Sequence, residues 1–198
     1  MRHRLPFATA LLLFLFTVPA LPQICGVHCG SERWKVKTLT DTNAANIDPD
    51  PVDKSINWLR NRTRPSSLPN TTRLIGIETM TFKVKGVVLS FKKEENNNEF
   101  HVVIAQSNNH SRTMIVEFPD PHCANVCSSS FLNQMRKARE DFVARFGEPP
   151  TGDFGKPHHP VLVEVIGVGF FDRMHRQIGK ALPSEIDLHP VIGFKALE

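Results

Sequence analysis

The 198-residue sequence lacks an apolar run of the roughly 20 residues that a membrane-spanning helix needs, so no span is expected. It lacks the short motifs of familiar catalysts as well. There is no G-x-S-x-G elbow, no H-E-x-x-H pair and no P-loop, because Gly179-Lys180 stands without the glycine spacing that cradles phosphate. No internal repeat of useful period is present, which excludes solenoid and propeller arrays. A large excess of one charge is missing too: 24 basic and 20 acidic residues give a formal charge of +4.

The first twenty residues are of a different kind from the rest. Arg2 and Arg4 precede an apolar stretch from Leu11 to Phe16, and the small residue Ala20 suits signal peptidase. Residues 1–20 are therefore expected to be a secretory signal. Lipoprotein processing at Cys25 is weakly indicated, because Ile24 is not the small residue that usually precedes the modified cysteine. Without the leader, 22 basic and 20 acidic residues remain, or +2. From Ser31 to Lys93 twelve basic residues face six acidic ones, and from Glu94 onward ten face fourteen. This mild asymmetry reads as a solvated surface or as a patch for an acidic partner.

Cys25, Cys29, Cys123 and Cys127 form two C-x3-C pairs with His28 and His122 beside them. In a reducing compartment that grouping would indicate zinc. Export favours oxidation, and four cysteines allow two disulfides in three connectivities. A bridge between the 25/29 and 123/127 pairs would staple the N-terminal extension to the body of the protein.

Pattern along the chain predicts the elements. A short helix is expected from Pro51 to Arg60, capped by Asp50, with Val52, Ile56 and Leu59 on one face. Residues 62–72 read as a linker. From Met80 the apolar residues occupy even positions (Phe82, Val84) and after Gly86 odd ones (Val87, Leu89, Phe91), as in a bent strand. The same change of phase is read after Gly167, where Val161, Val163 and Val165 give way to Val168 and Phe170. Strands follow at 100–106 and 113–118, then a helix from about Ser130 to Phe146 with Phe131, Met135, Ala138, Phe142 and Phe146 on one stripe. Serines 128–130 are its caps, and Gly147 and Pro149 its stop. A last strand passes through Ile186, Leu188, Ile192 and Phe194. Three strands, a helix and two strands make the order of the oligonucleotide/oligosaccharide-binding (OB) fold. The expected fold class is mainly β: an OB-like five-stranded barrel with one helix between strands 3 and 4, plus an N-terminal extension. The expected organisation is signal peptide 1–20, extension 21–75 with a short helix and linker, and barrel 76–198.

The sequence also resembles an uncharacterised family of exported bacterial proteins with an OB-like domain. The resemblance rests on CGSERWKVKTLTD at 29–41, FHVVIAQ followed by RTMIVEFPDP, SSFLNQMRKAREDFVARFG, GVGFFDRMH and EIDLHPV, and it spans nearly the whole chain after the leader. It implies the fold and an exported location, and it implies no reaction or ligand. The family's Gly-Gln-Thr after the histidine of FFD-x-x-H is replaced here by Arg176, Gln177 and Ile178.

Alternation sends Ile186 and Leu188 of the last strand inward and Asp187 and His189 to the opposite face. Asp172 and His175 follow strand 4, on the connection into strand 5. Two histidines and two acids at a strand end can bind a metal, run acid/base chemistry, or hold an irregular hairpin by hydrogen bonds. His175 and His189 are the candidate metal ligands, and no cofactor is implied. Nucleic-acid binding is weighed on fold analogy. Its single-strand readers stack bases on aromatics of strands 2 and 3. Here the outward positions are His101, Val103, Ala105, Thr113, Ile115 and Glu117, with no aromatic and one acid. A basic contribution would fall to Lys83, Lys85, Lys92 and Lys93. Sequons begin at Asn61, Asn70 and Asn109, and in a bacterial source they read as polar loop residues. The reading is of a secreted or periplasmic OB-like binding or structural module without catalysis, its ligand extracellular or periplasmic and unidentified. The alternative is a metal-assisted hydrolase of nuclease or esterase type using His175 and His189 with Asp172 or Asp187.

Overall fold

The computed structural model describes residues 25–26, 29–174 and 177–197. The expected signal peptide and His175 lie outside them.

Six strands form one sheet: β1 Asp48–Asp53, β2 Met80–Lys93, β3 Phe100–Gln106, β4 Asn109–Phe118, β5 Val161–Phe171 and β6 Ile186–Leu197. The order is β1-β2-β3-β4-β6-β5, with a further pairing between β2 and β5. β2, β3 and β4 form an antiparallel meander. β5 and β6 make an antiparallel pair, and Val116 opposite Leu188 joins β6 to β4 in parallel. β2 also runs antiparallel to β5 from Thr81–Val168 to Val88–Val161. Two short helices, α1 Trp34–Lys37 and α2 Ile56–Arg60, lie in the extension, and α3 Ala124–Cys127 and α4 Leu132–Phe146 lie between β4 and β5. The mainly β character agrees with expectation, and the long helix α4 falls between β4 and β5.

The largest core is lined by alternate residues of all the long strands: Phe82 and Val84, Val102 and Ile104, Met114 and Val116, Val163 and Val165, Ile186 and Leu188. α4 adds Ala138 and Phe142 to it. The Phe142 ring has centroids of Phe91, Phe100, Phe118, Phe146 and Phe194 between 4.9 and 5.7 Å away, distances that edge-to-face and offset pairs prefer. α4 has no side-chain N-cap of its own. Ser129 Oγ instead accepts from the Phe131 N–H just ahead of it, and Gly147 with φ 78 ends it.

Three local expectations are corrected. Asp48–Asp53 is a strand, parallel to β2, and α2 begins only at Ile56 with Ser55 as its N-cap. Pro49 and Pro51 are tolerated because β1 is an edge strand and pairs on one side alone. The phase change in β2 falls between Val88 and Ser90, where the register with β3 shifts, and not at Gly86. Gly86 is small for another reason: a Cβ there would meet Ile56 Cδ1 and the Ala105 carbonyl, each at 3.0 Å. In β5 the odd positions stay in the core through Phe171, so Val168 and Phe170 do not turn inward. Val168 packs with Leu39 and Ile47 of the extension, and Phe170 lies under Arg33, 4.8 Å from the ring centroid. Ile192 likewise faces the extension clusters rather than the core. Two buried faces on one strand produce an apolar run that pattern alone reads as a bend.

The extension is clamped to the sheet by charge and covalent bonds. Arg33 and Glu78 are fully buried and doubly bonded, at 2.7 and 2.9 Å. Glu78 also accepts the backbone N–H of Leu74 and of Phe171. Arg73 forks onto Asp41 at 2.9 and 2.7 Å and donates to the carbonyls of Val36 and Glu78. Cys25 bonds Cys127 and Cys29 bonds Cys123, which selects one of the three connectivities and links extension to α3. Cys123 packs with Trp34, Val126 and Met135.

Candidate functional site

His101 of β3 stands opposite Glu117 of β4 in register. One step along, Val116 faces Leu188, which sets the next residue of β6, His189, beside Glu117. Alternation turns all three side chains away from the large core, onto the face covered by the extension. The turn before β3 adds Glu99, and α1 adds Lys37.

The contacts are short and enclosed. His189 Nε2 lies 2.8 Å from Glu99 Oε1. His189 Nδ1 makes an ion-pair approach of 2.5 Å to Glu117 Oε2 without hydrogen-bond geometry. The other Glu117 oxygen lies 3.1 Å from His101 Nδ1, and Lys37 Nζ stands 4.0 Å from Glu117. His189 is 0% exposed and Glu99 1%. Burial works against the imidazolium, yet Glu99 and Glu117 hold its pKa up at about 9, so the ring is protonated at neutral pH. Burial likewise opposes the Lys37 charge, but Glu117 and Glu99 raise its pKa above the usual value. For Glu117 burial is again the opposing effect, and His189 and Lys37 overcome it, holding the carboxyl well below the usual range. The group is a buried ion network that balances itself.

Asp187 extends it. Its carboxyl is buried, and burial, then Asp172 and Glu117, push its pKa well above the usual range. Among the described residues its Oδ1 has no hydrogen-bond partner, which an un-ionised acid tolerates far better than a carboxylate. Asp172 belongs to a second knot, where Lys180 Nζ donates to the Arg173 carbonyl at 2.6 Å and lies 3.3 Å from Glu185 and 3.5 Å from Asp172.

The outward face of β3 and β4 is closed. Val103, Ala105 and Ile115 are at most 2% exposed. The connection from β5 to β6 runs over them: Ile178 O is 3.4 Å from His101 Nε2, and Lys180 O is 3.5 Å from Thr113 Oγ1. Arg60 of α2 donates to the carbonyls of Thr113 and Lys180. Gly179, at φ +95, lies so near Val103 that a Cβ would sit 2.6 Å from its methyls.

Of the residues marked from sequence, Asp187 and His189 share one face as alternation required, and Asp172 lies close by. They do not form an open strand-end cluster, because the extension and the β5–β6 connection bury them. The four lysines form no single patch. Lys83 pairs with Asp53, Lys85 with Glu164, Lys92 with Glu94 and Lys93 with Glu148, and about nine residues of strand, or roughly 30 Å, separate the two groups. Glu99, Glu117, His101 and Lys37 were missed as site residues. The visible signal was an acid and a histidine at facing outward positions of two otherwise apolar strands.

Glu99, Glu117 and His189 offer donor atoms within 4.8 Å of one another, a grouping able to approach a metal. A ligating imidazole must offer a free lone pair to the ion, and here both ring nitrogens already face carboxylates, at 2.8 and 2.5 Å. Lys37 supplies a further positive charge where a cation would stand. The donor set therefore fits an ion network better than a metal. No family model matches the chain, and neither a curated protein nor a solved structure matches it.

Proposed function

We propose that the chain is an exported module of OB type that binds or scaffolds and does not catalyse, belonging with the exported bacterial proteins whose motifs it carries. The pairings support the barrel: β2-β3-β4-β6-β5 and back to β2 is a ring of five, and the long helix falls between its third and fourth strands. β1 and the extension are additions to that ring. Two disulfides and the basic-apolar leader support export.

One observation carries the non-catalytic reading. His189, one of the two histidines of the hydrolase alternative, is fully buried with a carboxylate at each nitrogen, so neither of its nitrogens can reach a substrate proton; His175, the other, lies outside the described residues. The closed β3–β4 face supports a partner other than single-stranded nucleic acid, since base stacking needs exposed rings.

The competing reading is favoured by the Glu99, Glu117 and His189 grouping. Metal content of the purified oxidised protein, with melting temperature before and after adding zinc or calcium, separates the two. The module reading predicts substoichiometric metal and no rise in melting temperature. One tightly held ion per chain would contradict it.

A further inference from the structure

A groove of about 790 Å³ runs between α4 and the chain at 120–122. Its size falls within the roughly 300–1,000 Å³ of small-molecule sites. Arg139 is fixed in its wall. Its Cζ lies 3.4 Å from the centroid of the Phe100 ring, and Nη1 donates to the Phe118 carbonyl at 3.0 Å. Among the described residues its remaining N–H groups bond no protein acceptor. Arg136, one helical turn earlier and so on the same face, makes a single contact of 3.4 Å to Asn133.

The other charges in the groove are largely occupied. Lys93 pairs with Glu148. Asp120 accepts from the backbone and lies 2.9 Å from the ring nitrogen of His122. That leaves two guanidiniums and Glu140. In all, three cations meet three acids, so the groove has no net field to attract a multiply charged anion. Its lining includes the guanidiniums of Arg136 and Arg139, and the donor fork of a guanidinium matches one carboxylate. Pro121, Val143 and Ala144 line the rest.

Resting on the binding-module reading, we infer that this groove is its ligand site and takes a small organic monocarboxylate with an apolar body. The carboxylate lies against Arg136 and Arg139, and the body lies along Val143 and Ala144. Glu140 opposes the anion and sets a weak affinity.

Titration calorimetry of the oxidised chain with octanoate tests this, with 1-octanol and inorganic phosphate as comparison probes. The expected result is saturable one-site binding of octanoate and none of octanol or phosphate. Arg136→Ala, which loses only the Asn133 contact, weakens octanoate binding by about tenfold, and Glu140→Gln strengthens it several-fold. Absence of saturable octanoate binding by the folded protein overturns the inference, as does binding that Arg136→Ala leaves unchanged or that phosphate reproduces. Each of those failures leaves the module reading standing, because that reading fails on metal content and the stability of the His189 variant, measured separately.

Discussion

His189 Nε2 and Glu99 Oε1 lie 2.8 Å apart across 90 residues of sequence, and neither side chain is open to solvent. An imidazolium held between Glu99 and Glu117 links the last strand to β4 and to the turn before β3. Its contacts are those of a clasp.

The pH dependence of stability follows from that clasp. His189 has a folded-state pKa of about 9 against an ordinary value near 6.5. Its contribution is therefore complete below about pH 6.5 and is lost as pH rises toward 9, on the order of 3 kcal/mol. Asp187, raised, acts in the same direction, since the folded state must give up a proton that the unfolded state has already lost. Glu117, lowered, contributes above the ordinary carboxylate range and fails as pH falls below it. Urea midpoints measured from pH 4 to 9 should decline as pH rises from about 6.5 to 9. A flat profile from pH 6.5 to 9 would contradict the assignment of a protonated His189.

Asp187→Asn should cost little. The asparagine amide resembles the neutral acid in shape, so stability at pH 6 should fall by no more than about 1 kcal/mol. The variant should then gain on the native protein as pH rises, because it has no carboxyl to ionise beside Asp172 and Glu117. Chemical denaturation at pH 6 and 8.5 reads both effects. A loss above about 2 kcal/mol at pH 6 would mean that Asp187 is a paired carboxylate.

The two disulfides should act more than additively when removed. Their sequence separations are 102 and 94 residues, but they are nested, so with either in place the other closes a ring of only about ten residues. The chain-entropy model then gives about 3 kcal/mol for losing one bridge and about 7 kcal/mol for losing both. Cys25→Ser with Cys127→Ser, Cys29→Ser with Cys123→Ser, and the quadruple variant test this. Equal losses for one pair and for both would contradict the nested arrangement.

Much of the fold was legible because one face of each strand obeys a period of two. Met114, Val116 and Phe118 are core as patterned, and the stripe of α4 was visible from Met135 to Phe142. β1 was not legible, since Asp48–Asp53 carries two prolines and three acids and is a strand only because β2 offers an edge. The supposed bend at Gly167 misled because Val168 and Phe170 are covered by Leu39, Ile47 and Arg33, residues more than a hundred positions away. The site was half legible for the same reason. Alternation paired Asp187 with His189, while the cysteines left three connectivities open, and the structure selects one that ties the extension to the body. That Arg33 and Asp41 would be buried there, and Lys37 half-buried, depends on partners at Glu78, Arg73 and Glu117, which no local pattern announces.

The most direct test of the account is the unfolding free energy of the oxidised protein beside His189→Ala at pH 6. The clasp predicts a loss of about 3–5 kcal/mol, because Glu99 and Glu117 are left buried without their counter-charge, together with release of the alkaline decline that His189 contributes. A change below about 1 kcal/mol would show that the fold does not need this histidine, and the buried network would then have to be explained as a site that the protein keeps for chemistry.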